Sequence, residues 1–147
     1  MSKDHIRDYA TAAFRYWASQ GCPTYEEAVE RIKNRAINKA KDVDPARALI
    51  YAEAEVEKRA AELSDIIACE ACFKHFQECG KGYVCDAVKA VYMPYPGRKL
   101  RRRELSGRVL RYSQDNYLSV RTAYYYLNQA CCYFASLHNL RISTEDL

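Results

Sequence analysis

Two stretches of this 147-residue chain carry side chains whose types and spacing could do chemistry. The first is Cys69-x-x-Cys72 followed by His75, Cys79 and Cys85, thiols and an imidazole that could supply four ligands to a zinc ion. The second runs from Ser119 to Gln129, where hydroxyl, guanidinium, amide and phenol groups recur at helical spacing. Those groups can hold phosphates and read base edges. Catalysis has no comparable basis. The histidines His5, His75 and His138 fall in unrelated segments, and no glycine-rich phosphate loop or His-Glu-x-x-His is present. The adjacent carboxylates Glu26-Glu27 and Glu145-Asp146 read as helix-end and chain-end charge. No enzyme and no cofactor is expected.

The zinc reading weakens on the elements that would carry it. On a continuous helix Cys69, Cys72, Phe73, Phe76 and Cys79 form an apolar stripe, and reduced cysteine is among the most buried residue types. A zinc knuckle needs a tight turn between its paired cysteines, whereas Glu70-Ala71 favours helix. Core cysteine is the expectation, with no metal.

Charge supports the second stretch. Met1 to Met93 carries 14 Lys/Arg against 15 Asp/Glu, while Pro94 to Leu147 carries 9 against 4. Between Pro94 and Ile142 only Glu104 and Asp115 oppose nine basic residues, a balance of +7 (9 − 2) that suits a polyanion. The start of the chain lacks the uninterrupted apolar core of a signal peptide, and no window approaches the ~18 apolar residues of a membrane span. A cytoplasmic protein with no membrane association is expected, with its seven cysteines reduced.

The elements that must position these residues all read as helix, so the fold class is all-α. Ile6, Tyr9, Ala10, Ala13, Phe14 and Trp17 make one stripe that ends at Gly21-Cys22-Pro23. Thr24 caps a second helix running to about Lys41 through Val29, Ile32, Ala36 and Ile37. Asp44 as N-cap and Pro45 at the first position restart the pattern as one long helix, or two with a kink near Ser64. Along it Leu49, Ala52, Val56, Ala60, Leu63 and Ile67 follow at spacings of three and four, a stripe that packs on the preceding helices and could also join a second copy. A short helix from Tyr83 to about Met93 precedes Pro94–Glu104, an extended segment with two Pro, one Gly and five basic residues. The expected organisation is a helical platform at 1–93, a basic linker or arm at 94–104, and a helix-turn-helix at 105–147.

In that last unit a first helix carries Val109 and Tyr112 towards the core, and a polar turn lies at Gln114-Asp115-Asn116. Asn116 tolerates a left-handed backbone, and Leu118 packs beneath the turn. Ser119 caps a second helix whose Ala123, Leu127, Ala130 and Phe134 share a core face. Its other surface presents Val120, Arg121, Tyr124, Tyr125, Asn128 and Gln129. With Ser119, these are the candidate DNA contacts, and Arg98, Lys99, Arg101, Arg102, Arg103, Arg108 and Arg111 would neutralise phosphates.

The pattern Leu118, Ser119, Thr122, Ala123, Leu127, Ala130 resembles the last helix of sigma-70 region 4. The order from Val84 to Ile142 is similar to phage and prophage transcriptional regulators of the ArpU and RinA kind. The sequence departs from the pattern at Ala123, where Val or Ile is usual, and at Cys131-Cys132, where charged residues are commoner. The resemblance implies a sequence-specific regulator bound to double-stranded DNA. A sigma-like factor gripping RNA polymerase, a phage DNA-packaging small subunit and a helical module with no DNA role are the alternatives.

Overall fold

Ile6, Ala10, Ala13, Phe14 and Trp17 recur every three or four residues, and α1 (Lys3–Ser19) buries all five to 7% exposure or less. The computed structural model describes residues 3–40 and 45–138, with side chains from residue 5. Tyr9 sits at the edge of that stripe, not inside it: it is 40% exposed, and its hydroxyl donates to Asp65 Oδ1 at 2.6 Å. Trp17 Nε1 donates to Pro23 O at 2.8 Å, which ties the end of α1 to the turn that follows.

Helix α2 (Tyr25–Ala40) begins where Thr24 Oγ1 accepts from the Glu27 amide at 3.2 Å, with Glu26 and Glu27 at its positive end. The expected cap Asp44 and helix end Lys41 lie outside the described residues. A 3₁₀ turn (Pro45–Arg47) leads into α3 (Ala48–Lys58), and α4 (Ala60–Glu78) follows. The long segment is therefore two helices, and they meet at Arg59 rather than near Ser64.

No Gly or Pro marks that junction, yet it re-phases the apolar stripe. Ala48 and Ala52 are buried and Leu49 is 70% exposed; beyond the break Leu63 and Ile66 are buried and Ile67 is 47% exposed. Two separate axes let α3 lie along α2, to which most of its contacts go, while α4 enters the core. Arg59 braces the joint with Nε 3.3 Å from Glu55 Oε1 and Nη1 4.0 Å from Glu62 Oε2.

The remaining helices are α5 (Gly82–Val91), α6 (Glu104–Asp115) and α7 (Val120–Leu137). Among the described residues there are seven α-helices and no strand, and no helix is long and apolar enough to cross a membrane. Helix α7 packs against α1, α4, α5 and α6, so one apolar cluster runs from Ala10 through Phe73 and Val88 to Phe134. Platform and helix-turn-helix share a single core.

Phe14 is its junction. Its ring centroid lies 5.9 Å from Phe73 of α4, 6.3 Å from Tyr92 after α5 and 5.7 Å from Phe134 of α7. Phe14→Ala should cost about 3–5 kcal/mol in urea unfolding, because three elements would face a void none can fill alone. An unfolding midpoint equal to the parent's would contradict that placement.

Candidate nucleic-acid interface

The turn between α6 and α7 is a helix-closing motif followed at once by a helix-opening one. Leu118 N donates to Ser113 O at 2.8 Å and Tyr117 N to Gln114 O at 3.4 Å, which satisfies carbonyls the helix end would otherwise strand. Helices α1 and α4 end the same way, with left-handed Gly21 (φ 83°) and Gly80 (φ 73°) in the position that needs positive φ. In α6 that position belongs to Tyr117 (φ 55°), not to Asn116, whose φ is −110°. Asn116 supports the turn differently, its Nδ2 donating to Tyr112 O at 2.9 Å. Tyr117 thus bears a strained backbone and a ring that is 97% exposed.

Ser119 then caps α7: its Oγ accepts from the Thr122 amide at 3.0 Å and lies 2.8 Å from Thr122 Oγ1. Val109, Tyr112, Ala123, Leu127, Ala130 and Phe134 are buried and Leu118 packs on them, all as the spacing requires. The opposite side of α7 exposes Ser119, Val120, Arg121 and Tyr125, with Asn128 half-buried. Arg121, Tyr125 and Asn128, at intervals of four and three, form one strip.

Two of the expected reading residues stand apart from it. Tyr124 flanks the strip and lines a cleft of about 250 Å³ with Thr11, Leu105 and Ser106, which sets the start of α6 beside it. Gln129 is half-buried, and its Oε1 is enclosed with no hydrogen-bond partner among the described residues.

The basic segment splits into inner and outer cations. Lys99, Arg101, Arg102, Arg103 and Arg111 are exposed. Arg98 and Arg108 pair with Glu104: Arg98, itself exposed, hydrogen-bonds it and lies 4.9 Å from the Tyr95 ring, while half-buried Arg108 donates from Nη1 to Val91 O at 2.9 Å. Arg108 Nη2 is 3.3 Å from Glu104 Oε1, within ion-pair range but not aligned for a hydrogen bond. Glu104 Oε2 accepts from the Arg101 amide at 3.0 Å. That amide, then the flanking arginines, hold the Glu104 carboxyl below its usual range against the opposing effect of desolvation.

The residue that holds this segment in place gives no signal in the sequence. Arg15 projects from α1 on the side away from the apolar stripe, yet it is 8% exposed. Its Nη1 donates to Tyr92 O at 2.7 Å and Pro94 O at 3.2 Å, and its Nη2 to Tyr95 O at 2.9 Å and Arg98 O at 2.7 Å. Burial, and next the nearby Arg108 charge, lower the pKa of this guanidinium, and Glu104 partly offsets them. The partners lie 77 to 83 residues away, beyond the reach of any local pattern.

Four of the seven cysteines serve the core. Cys69, Cys72, Cys85 and Cys131 are buried, and burial pushes the Cys131 thiol up to about 11. Cys79, expected on the same stripe, is exposed, because α4 ends beside it. His75 stacks on Tyr133 with centroids 4.0 Å apart. Among the described residues no group of three or more His, Cys, Asp or Glu side chains is placed to hold a metal ion.

No family model, curated protein or solved structure matches the chain.

Two substitutions test this geometry. Tyr117→Gly should raise stability by about 0.4–1 kcal/mol in chemical denaturation, since glycine relieves the left-handed strain at an exposed site; a loss would show that the ring makes stabilising contacts. Arg15→Gln strands desolvated carbonyls and should cost about 1–3 kcal/mol. It should also speed tryptic cleavage after Arg98, Lys99 and Arg101, and unchanged cleavage would mean the arm is held by other contacts.

Proposed function

We propose that the chain is a sequence-specific binder of double-stranded DNA and a regulator of the prophage type, with the N-terminal half of α7 in the major groove. The observation that carries this reading is the strip of exposed Arg121 and Tyr125 and half-buried Asn128 on a helix capped by Ser119. Asparagine and arginine supply the bidentate groups that distinguish adenine and guanine edges, and the first-turn amides of α7 favour a phosphate.

The arm supplies the rest of the affinity. Lys99, Arg101, Arg102, Arg103 and Arg111 face solvent, while Glu104 is turned inward on Arg98 and Arg108. Its charge is paired with those two arginines, so it offsets less of the outer row's positive field. Arg108, half-buried, shapes the arm, while Arg98 stays exposed beside its pairing with Glu104 and keeps its place among the phosphate contacts. Tyr117, exposed at the turn before the reading helix, is an added contact candidate on the same edge.

Selection of bound duplexes from a random pool should enrich a motif. On that motif Arg121→Ala should cost on the order of 1–3 kcal/mol and relax the preference at one position. Arg102→Ala should weaken all sequences alike and reduce the salt slope by about 1. A mobility-shift series in which Arg121→Ala binds every duplex as tightly as the parent sinks the assignment.

A further inference from the structure

The α2–α3 hairpin stands apart from the DNA-binding reading and carries a surface that reading leaves unused. Between the two helices lies a cleft of about 400 Å³ with an apolar floor that includes Ile32, Ala36, Ala40 and Tyr51. Leu49 and Ile50 at the start of α3 are also exposed, at 70% and 64%, but they lie on the side of the helix that carries Glu53 and Glu57, outside the lining.

The rim is cationic. Arg35, Lys39 and Lys58 border the cleft, and none of them forms an ion pair among the described residues. The one carboxylate on the lining, Glu55, is already held by Arg59 Nε at 3.3 Å. Glu53 and Glu57 of the same helix do not line the cleft. A segment that is charge-neutral by summation, 14 cations against 15 anions up to Met93, therefore hides a local positive rim.

We infer that this cleft docks an acidic amphipathic helix of a protein partner, its apolar edge on Ile32 and Tyr51 and its carboxylates on Arg35, Lys39 and Lys58. A groove that is apolar at the base and charged at the lip is how a single amphipathic helix is bound. A second copy of this chain fits badly, because a two-fold contact through the cleft would set the same cations face to face. A phosphodiester backbone would meet the rim but leave the floor unfilled.

The test uses the full chain and a fluorescein-labelled synthetic helix with leucines at i and i+4 and glutamates flanking them. Anisotropy should show saturable, salt-weakened binding, with amide shifts in NMR spectra centred on Ala36, Tyr51 and Ala54. The double variant Arg35→Glu, Lys58→Glu alters only exposed positions and should weaken binding about tenfold or more with an unchanged circular dichroism spectrum. The inference is overturned if a peptide of equal charge with its leucines scattered round the helix binds as well, or if the double variant keeps the parental affinity. It is likewise overturned if duplex DNA or phosphatidylserine vesicles shift the Tyr51 and Ala54 amides as the peptide does, or if the shifts fall on α7 instead.

Discussion

Four backbone carbonyls of one loop converge on the guanidinium of Arg15. Arginine can do this because its planar fork carries five N–H donors, enough to serve several acceptors at once without a carboxylate. The loop supplies the need. Pro94 and Pro96 have no N–H to give, so residues 92–98 form no helix or ladder of their own, and apart from the Arg98 amide on Tyr95 O their carbonyls take donors from elsewhere. Bringing those donors from α1 fixes the loop to the helix that carries Phe14, whose ring centroid lies 6.3 Å from that of Tyr92.

That choice places positive charges close together, and the arrangement of Glu104 follows from it. The Arg108 charge lowers the Arg15 pKa, and Glu104 is the acid that offsets it while also fastening Arg98 and the Arg101 amide. The segment is thus a cation-rich strap folded around one anion, with left-handed Arg103 starting α6 directly after it. Its outer arginines are presented by a braced frame and not by a free tail. Surface charges held in place lose less side-chain and backbone entropy on meeting a polyanion than the same charges on a flexible linker.

Most helices were legible in the residues because their apolar stripes are local. Ile6 to Trp17, Val84 to Val91, and Ala123 to Phe134 each announce one buried face, and Thr24 and Ser119 announce caps. The α3–α4 junction was not, since Arg59 breaks the helix for the sake of packing on α2 and no Gly or Pro records it. The left-handed turn residue was misplaced for a related reason. Intrinsic preference favours Asn116 over Tyr117, but the register of Ser113, Gln114 and Leu118 decides which residue takes the strained position. The inner and outer halves of the basic segment could not be separated by composition, because what separates them is contact with α1 and α5.

The packing of α7 against α1 has a consequence for synthesis. Tyr9 and Phe14 meet Phe134 across nearly the whole chain, with ring centroids 5.4 and 5.7 Å apart. A ribosome therefore releases α1 long before this aromatic partner exists, and at ~5–20 residues per second the nascent chain spends several seconds with Tyr9 and Phe14 lacking their final cover. Helix α1 is made before α7 but completed only with it.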